Sequence, residues 1–265
     1  MSRVRLRDSV VVVTGAGSGI GAATARRCAG AGAMVIVADI DEEAADRTAT
    51  ACRERGGAAH GYRCDVADTD SLQALHDSVI AEAGPVDVLV NNAGVGVGGD
   101  FLDNTEDDWT WLRSINLDGV VNGCRVFGRG MVDRRAGHVV NIASGAGYLP
   151  NRRMALYCAS KAGVVMFSRC LRADWASTNV GVSVICPGVI NTPILHNTRL
   201  RGRAVDEKSR LDWIFRHSHS PDTVAKAVVG AVEHNRAMVS VGLETQIGYH
   251  ALRLAPMFNG VVARA

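Results

Sequence analysis

Short apolar segments alternate with longer amphipathic segments along this chain of 265 residues. The short segments are rich in valine and isoleucine and end at glycine, aspartate or asparagine, which is typical of strands. They are SVVVVTG (9–15), AMVIVADI (33–40), HGYRCDV (60–66), VDVLVNNAG (86–94), GHVVNIAS (137–144), VGVSVICPG (180–188) and, more weakly, AMVSVG (237–242). The pattern therefore predicts about seven strands.

The amphipathic segments between them predict helices. These span 19–31, 42–55, 69–83, 118–135, 153–178 and 221–235. Asp68 or Thr69 can cap the third helix, and Pro221 suits the first turn of the last. Regular alternation of strand and helix indicates an α/β fold, a doubly wound parallel sheet with helices on both faces. No composition break or repeat marks a second domain, so we expect one domain over 1–265.

Composition excludes several classes of protein. The net charge of +2 gives no basic surface of the kind that binds nucleic acid. No apolar run approaches the length of a membrane-spanning helix, and the basic start followed by a short apolar run is interpreted as a first strand rather than a signal peptide. The 7 cysteines form no C-x-x-C pair, which favours free thiols in a reducing cytoplasm.

Three side chains are candidates for other chemistry. Cys158 could be a nucleophile, but a helix neighbour of Tyr157 points away from the face that Tyr157 occupies. His217 and His219 could bind a metal, but neither an acidic residue nor a cysteine is spaced to join them. We therefore expect Cys158 not to be a nucleophile, the histidines to lie on a solvated loop, and no metal site.

A glycine-rich turn, TGAGSGIG (14–21), follows the first strand and opens the first helix. Gly15, Gly19 and Gly21 allow the backbone to approach a phosphate pair, whose charge the helix N-terminus favours. The spacing G-x-x-x-G-x-G is a weak signal alone, because glycine turns also have structural uses. Its position between an apolar strand and an amphipathic helix favours a dinucleotide site.

Asp39 ends the second strand, 18 residues after Gly21. A carboxylate there can accept hydrogen bonds from the adenosine ribose hydroxyls of NAD, and it would repel the 2′-phosphate of NADP. Neither Ser18 nor Ile40 supplies a cation for such a phosphate. The sequence therefore predicts NAD as the cofactor.

The segment YCASK (157–161) carries a tyrosine and a lysine four residues apart. On a helix they share one face, about 5–6 Å apart, an arrangement suited to moving a proton. A free tyrosine titrates near ~10. At an effective dielectric of ~20, an ammonium ~6 Å away contributes roughly 3 kcal/mol, about two pKa units. This spacing predicts a lowered pKa for Tyr157.

Further motifs occur in a fixed order along the chain. They are CDV (64–66), NNAG (91–94), Asn116 in INLDG, Ser144 thirteen residues before Tyr157, and PGVINT (187–192). Together with TGAGSGIG and YCASK, they make the chain resemble the short-chain dehydrogenase/reductase (SDR) family, in its group of shorter chains. The resemblance runs from about Val10 to Thr192 and more loosely to the end. It implies a Rossmann-like fold.

The resemblance also implies the roles of site residues. Tyr157 would be the general acid or base, Lys161 would bond the nicotinamide ribose, Ser144 would hold the substrate oxygen, and Asn116 would support a proton-relay water. The cofactor contacts that it implies are Gly15, Ser18, Gly19, Ile20, Gly21, Asp39, Ile40, Asp65, Val66, Asn92, Ala93, Gly94, Tyr157, Lys161, Pro187, Gly188, Ile190 and Thr192. The hydride chemistry would be the cofactor's own.

We therefore expect an NAD(H)-dependent oxidoreductase that interconverts a secondary alcohol and a ketone. One alternative is an NADPH-dependent 3-oxoacyl-thioester reductase, against which Asp39 argues. Another is a non-catalytic dinucleotide-sensing protein, which would not need all four catalytic residues. The family resemblance suggests a homo-oligomer, a tetramer or dimer, packed through helices near 100–135 and 153–178.

Two segments bear on the substrate. Segment 192–220, called the lid segment here, is too long for an ordinary connection, and the resemblance implies a substrate lid with short helices. The tail (about 243–265) carries Tyr249, Leu252, Leu254, Met257 and Phe258 at roughly helical spacing. These side chains close the core or an interface, line the pocket, or, least expected, contact a membrane.

If the lid segment and tail border the pocket, the substrate is a bulky apolar alcohol or ketone, such as a sterol, terpenoid or lipid-derived compound. Few fixed charges would then face it, because we expect Arg152 and Arg153 to face solvent.

Overall fold

The computed structural model describes residues 3–254. Its strands are β1 (Val10–Thr14), β2 (Met34–Asp39), β3 (Ala58–Arg63), β4 (Val88–Asn91), β5 (Gly96–Gly98), β6 (His138–Ile142), β7 (Gly181–Pro187), β8 (Thr198–Leu200) and β9 (Met238–Val241). Seven of them form one sheet in the order β3-β2-β1-β4-β6-β7-β9, and every neighbouring pair is parallel. This confirms the predicted parallel sheet and all seven predicted strands.

The helices are α1 (Gly19–Gly30), α2 (Glu42–Arg53), α3 (Thr69–Ala83), α4 (Glu106–Arg113), α5 (Gly119–Asp133), α6 (Ala155–Asp174), α7 (Arg203–Asp206), α8 (Lys208–Arg216), α9 (Pro221–His234) and α10 (Leu243–Leu254). The six predicted helices are confirmed as α1, α2, α3, α5, α6 and α9. Helix α4 and strands β5 and β8 were not predicted. The tail is helical as far as Leu254, and residues 255–265 lie outside the described part of the chain.

Two apolar layers cover the two faces of the sheet. Successive residues of β1 alternate between them: Val11 and Val13 belong to one layer, Val10 and Val12 to the other. Helices α1, α2 and α9 pack on the first face, and α3, α5 and α6 pack on the second. Strands buried on both faces must be apolar at every position, which explains the continuous valine runs in the sequence.

Local signals set the ends of the helices. The Asp68 side chain caps α3 by accepting a hydrogen bond from the Asp70 N–H, while Ser220 caps α9 ahead of Pro221. Between α4 and α5 the chain forms a π-helical turn, Ser114–Asp118. Such turns interrupt regular helices and recur at functional sites, and this one carries Asn116.

Strands β5 and β8 form a separate two-stranded parallel sheet in which Gly96 pairs with Thr198. This small sheet joins the lid segment to the residues that follow the NNAG motif. A β-carbon at Gly96 would lie 2.4 Å from the Thr198 Oγ1, so glycine allows the two strands to approach.

Among residues 3–254, no helix combines the length and the hydrophobicity that crossing a bilayer requires.

Candidate active site

The glycine turn closes tightly between β1 and α1. Gly15 and Gly19 have positive φ angles of 61° and 54°, a conformation that glycine adopts without steric cost. A β-carbon at Gly21 would lie 2.3 Å from the Gly15 carbonyl oxygen. Only a residue without a side chain fits there, so all three glycines of the motif are explained by the backbone they shape.

The NNAG motif holds this turn in place. The Asn92 side chain donates to the carbonyl oxygens of Thr14 and Gly15, each at 2.9 Å. In return, the Thr14 hydroxyl accepts the N–H groups of Asn92 (3.1 Å) and Ala93 (3.3 Å). Two motifs nearly eighty residues apart in the chain therefore form one rigid unit at the carboxyl end of the sheet.

The start of α1 suits a pyrophosphate. Ser18 is the N-cap residue, and within the described residues its side chain makes no capping hydrogen bond. The first N–H groups of a helix lack helical partners and attract anions. A β-carbon at Gly19 would lie 3.1 Å from the Thr192 Cγ2, so Thr192 approaches the same turn from the far side. The tight glycine backbone and the uncapped helix start fit a dinucleotide.

Asp39 lies at the end of β2, beside the glycine turn. Its Oδ2 accepts the Gly17 N–H at 2.8 Å, and its Oδ1 accepts the Asp41 N–H at 3.1 Å. The carboxylate is thus oriented by the turn itself. Each oxygen retains a lone pair that could accept a ribose hydroxyl.

The remaining cofactor candidates surround this turn. The Ile40 side chain is 59% exposed next to Asp39. Asp65 follows β3 and accepts the Ala67 N–H at 2.9 Å, while Val66 is buried. On the other side, the Gly188 N–H donates to the Val241 carbonyl.

Ile190 differs from the other candidates, because its side chain lies within the apolar layer that contains α1 and α9. It could therefore contact a cofactor through its backbone only.

The tyrosine and the lysine of YCASK lie on α6, as predicted. Lys161 is 4% exposed, and its Nζ lies 5.9 Å from the centre of the Tyr157 ring. The ammonium donates to the Ile142 carbonyl oxygen at 3.2 Å. Ser144 follows the same strand, β6, and its hydroxyl hydrogen-bonds with Tyr157. One strand end and one helix face thus bring these three side chains together.

Asn116 completes the cluster from the π-helical turn. It is fully buried, and its amide forms paired hydrogen bonds with Val95: Oδ1 accepts the Val95 N–H at 2.9 Å and Nδ2 donates to the Val95 carbonyl at 3.0 Å. A β-carbon at Gly94 would lie 3.3 Å from the Asn116 Oδ1 and 3.4 Å from the Lys161 Nζ. Asn116 and Lys161 therefore flank the same glycine.

A family model described as short chain dehydrogenase matches residues 9–202, which include the glycine turn, NNAG, Asn116, Ser144 and YCASK. The chain belongs to the short-chain dehydrogenase family. This confirms the resemblance inferred from the motifs.

Two curated family members illustrate the match. "Probable oxidoreductase EphD" of Mycobacterium tuberculosis is 42% identical over 265 residues, covering 97% of this chain and 45% of that protein. This chain therefore spans less than half the length of EphD. D-threitol dehydrogenase of Mycolicibacterium smegmatis is 38% identical over 236 residues, covering 89% of this chain and 90% of that protein.

A crystal structure of a short-chain dehydrogenase/reductase from Burkholderia phymatum in complex with NAD has a similar fold. It superposes with a TM-score of 0.89 at 31% identity and covers 98% of this chain and 97% of that one.

The family's tyrosine and lysine have shifted pKa values here. Burial raises the pKa of Tyr157, and the hydrogen bond from Ser144 opposes that shift. Burial also lowers the pKa of Lys161 to about 8. The lowered tyrosine pKa predicted from helical spacing is therefore wrong for the protein alone. Burial of the phenol is the largest cause of the shift, while the ammonium lies over the ring and donates to a backbone carbonyl.

The other candidates carry no catalytic geometry. Burial raises the pKa of the Cys158 thiol, which disfavours a nucleophile. The His217 ring contacts the Trp213 carbonyl, while the His219 ring lies 3.3 Å from Glu244. Among residues 3–254, no three histidine, cysteine, aspartate or glutamate side chains are grouped to hold a metal.

Two features of the site could not be seen in the motifs. Ser160, inside YCASK, is fully buried and its hydroxyl accepts the Asn116 Nδ2 at 3.3 Å. Arg153 was expected to face solvent, and this is wrong, since its side chain is 16% exposed and forms ion pairs with Asp100 (3.4 Å) and Glu207 (2.5 Å). Its acidic partners are distant in sequence, so no local pattern indicated them.

Proposed function

We propose that this protein is an NAD(H)-dependent oxidoreductase that interconverts a secondary alcohol and a ketone. The observation that carries this proposal is the cluster of Asn116, Ser144, Tyr157 and Lys161, in which the Lys161 Nζ lies 5.9 Å from the centre of the Tyr157 ring. The cluster lies at the carboxyl end of the sheet, as does the glycine turn. Alcohol oxidation needs a proton-transfer group and a dinucleotide site close together.

Each residue of the cluster has a physical task. Tyr157 exchanges a proton with the substrate oxygen, and Ser144 holds that oxygen by a hydrogen bond. Lys161 supplies a buried positive charge that stabilises the phenolate form. Asn116 hydrogen-bonds to the backbone of Val95. Its side-chain oxygen and the Lys161 Nζ both lie close to Gly94. When bound, the nicotinamide accepts or donates the hydride.

Burial raises the pKa of Tyr157 in the protein alone, so the phenol is protonated at neutral pH and ready to donate to a ketone. Oxidation of an alcohol requires the deprotonated phenolate, which the positive charge of Lys161 stabilises.

The preference for NAD rests on Asp39. Its carboxylate is fixed by the Gly17 N–H and would repel a 2′-phosphate. The strand register pairs Asp39 with Arg63 of β3, so Arg63 is the cation best placed to modify that preference. The NAD-bound relative from Burkholderia phymatum supports the same choice. The other cofactor contacts that we propose are those that the family resemblance implies.

A bulky apolar substrate of sterol, terpenoid or lipid type is supported by the lid segment. Leu211, Ile214 and Phe215 of α8 are half-buried. The arginines that join the lid segment to the body of the domain are neutralised by acidic partners: Arg199 by Asp107, Arg201 by Asp108, and Arg153 by Asp100 and Glu207. These arginines are not free to bind an acidic substrate.

The tail also borders the proposed substrate side. Helix α10 packs on the loop after Ser144, since a β-carbon at Gly145 would lie 2.5 Å from the Thr245 Cγ2. The Tyr249 and Tyr148 rings stack edge to face at 5.1 Å. The part of the tail that contains Met257 and Phe258 lies outside the described residues.

A small polyol is the second candidate substrate. Its support is the similarity to D-threitol dehydrogenase over 89% of this chain. The 3-oxoacyl-thioester reductase has less support, because such enzymes were expected to use NADPH and Asp39 argues against it. A dinucleotide sensor would leave the complete set of four catalytic residues unexplained.

We also propose that copies of the chain associate. Exposed apolar or small side chains lie along one stripe of α6 at helical spacing: Ala159, Ala162, Met166 and Cys170. Such a stripe is suited to packing against a second copy.

All seven cysteines are free, which supports a reducing cytoplasm. The apolar alcohol or ketone is the only small-molecule partner proposed besides NAD, and neither nucleic acid nor a membrane is proposed.

The test is NADH formation with a panel of alcohols and both cofactors. We expect higher kcat/KM with NAD than with NADP, and with a 3β-hydroxysteroid or terpenoid alcohol than with D-threitol. Each buried methylene adds up to ~0.8 kcal/mol of binding, so a preference of several hundredfold, about 3–4 kcal/mol, corresponds to four or five methylenes. A preference for D-threitol would favour the polyol, and no turnover with any alcohol would favour the sensor.

A further inference from the structure

Besides the Ser160 hydroxyl of α6, two separate segments position the side chain of Asn116. One is the backbone of Val95, which satisfies both ends of the Asn116 amide. The other is the segment α4 and its π-helical continuation, Ser114–Asp118, which carries Asn116 itself. Movement of either segment would displace the amide relative to Lys161.

The first segment is held by the lid segment. Strand β5 begins at Gly96, immediately after Val95, and pairs in parallel with β8 of the lid segment. The Arg201 N–H extends the pairing by donating to the Gly98 carbonyl oxygen at 2.8 Å. The lid segment thus holds β5, the strand that directly follows Val95, the residue to which Asn116 is hydrogen-bonded.

The second segment is held by the same arginine. Asp108 lies in the first turn of α4, is completely buried, and accepts two hydrogen bonds from Arg201: Nε to Oδ2 at 2.8 Å and Nη2 to Oδ1 at 2.7 Å. It also accepts the Thr105 N–H in a capping box and a longer bond from Arg199 at 3.3 Å. A bidentate pair of this kind fixes both partners in orientation.

We propose that Arg201 is a positioning residue for Asn116, because through Asp108 and β5 it clamps together the two segments that hold that amide. The proposal deepens the proposed dehydrogenase function, on whose site it rests. Loss of Arg201 leaves the buried Asp108 carboxylate with incomplete compensation. We expect the start of α4 and β5 to separate and the Val95–Asn116 bonds to weaken.

The first test measures hydrogen exchange of the Val95 amide, which needs no substrate. The variant Arg201→Met should exchange this amide about tenfold faster than the wild type, as loss of one intramolecular hydrogen bond predicts. Asn116→Ala, which removes the acceptor, gives the upper limit. Unchanged protection of Val95 in a folded Arg201→Met protein would overturn the proposal.

A matched control exists elsewhere in the molecule. Arg27 and Asp222 form a bidentate pair of similar geometry between α1 and α9, at 3.2 Å and 2.6 Å, and the two arginine side chains are similarly exposed, 36% for Arg27 and 41% for Arg201. The carboxylates differ, since Asp222 is exposed and Asp108 is buried. Arg27→Met should leave Val95 exchange unchanged. Equal acceleration in both variants would mean general destabilisation and would contradict the proposal.

The second test is a kinetic cycle with the best alcohol of the panel. Arg201→Met should reduce kcat about tenfold in the wild-type background and leave NAD affinity near that of the wild type. In the Asn116→Ala background it should have no further effect on kcat, because the effects of residues that act through one group are not additive. Full additivity of the two effects on kcat would contradict the proposal.

If Arg201→Met does not fold, Arg201→Lys replaces it. This variant keeps the positive charge but loses the bidentate guanidinium, and it should show smaller changes of the same sign in both tests. Wild-type exchange and kcat in that variant would also contradict it. A failure of the alcohol panel alone would count against the proposed function, whereas the exchange result decides the role of Arg201.

Discussion

The glycine turn and the lid segment both follow the carboxyl ends of strands of the sheet, but different interactions hold them in place. The turn is shaped by backbone contacts, as at Gly21, where a β-carbon would collide with the Gly15 carbonyl. The lid segment is held by charged side chains, as in the Arg201–Asp108 pair, whose members lie 93 residues apart in sequence.

This difference explains how each region can vary. A site made of backbone demands particular residues at particular spacings, so it is fixed in shape and readable as a motif. A site held by ion pairs tolerates many sequences, since each pair needs only a cation and a carboxylate that meet. Under the proposed function, the glycine turn would therefore suit a constant cofactor, and the lid segment would suit a variable substrate.

Inserting a methyl group should separate the two regions most clearly. In Gly21→Ala the new carbon would lie 2.3 Å from a backbone oxygen, 2.5 Å from the Asn92 Nδ2 and 2.8 Å from the Ala16 Cα. We expect destabilisation of about 3 kcal/mol, at the upper end for overpacking, and loss of NAD binding. Urea unfolding and NAD titration measure the two effects.

Gly96→Ala is the matched change in the lid region. Its new carbon would lie 2.4 Å from the Thr198 Oγ1 and meet that one side chain only within its three nearest contacts. We expect about 1 kcal/mol of destabilisation, recovered by adding Thr198→Ala. An equal and unrecoverable loss in both variants would contradict the contrast between backbone and side-chain control.

Acid should destabilise the sheet while the ion pair of the lid region persists. Burial lowers the pKa of His138 from 6.5 to about 3, helped by the charge of Arg172. The unfolded chain therefore binds a proton below about 6.5 that the folded protein does not, and stability falls with pH through that range. Between pH 7 and pH 5 we expect a loss of about 2 kcal/mol.

The measurement is urea unfolding at both pH values, with His138→Gln as the control. The control should show a smaller pH dependence. The guanidinium of Arg201 holds the pKa of the Asp108 carboxyl well below its usual range, so amides of β5 and β8 should keep their protection against local opening at pH 5. The same pH dependence in His138→Gln would assign the effect to other groups.

A smaller effect is expected when the charge beside the glycine turn is removed. Asp39→Ala should raise the KM for NAD at least tenfold, since a hydrogen bond to a charged group is worth about 1.5–3 kcal/mol, and should reduce discrimination against NADP. Asp39→Asn is the control, because it can keep a bond to the Gly17 N–H while losing the negative charge. An unchanged cofactor preference in both variants would place selectivity elsewhere, with Arg63 the first residue to test.

The predictions from sequence succeeded where chemistry is local. The glycine turn, NNAG and YCASK each combine residues near in sequence, and valine runs such as β1 are unambiguous because both faces of the sheet are buried. The same reasoning missed α4, whose short pattern is interrupted by the π-helical turn at Asn116. It also missed β5 and β8, which are three residues each.

Long-range pairing and burial explain the other failures. Arg153 was misplaced because Asp100 and Glu207 are distant in sequence. The pKa of Tyr157 was expected to fall because the spacing of YCASK reveals the lysine but not the desolvation of the phenol on α6. Both quantities depend on how elements pack, which a motif does not contain.

The measurement closest to the central claim is turnover and NAD affinity of Tyr157→Phe. Loss of the proton-transfer group should lower kcat by about 10²–10⁴-fold while NAD affinity stays near that of the wild type. Tyr62→Phe is the matched control, because Tyr62 is also partly buried and its hydroxyl donates to Glu82 at 2.5 Å, on the outermost strand β3 and away from the catalytic cluster. Turnover near wild type in Tyr157→Phe, or an equal loss in both variants, would contradict the catalytic role of Tyr157.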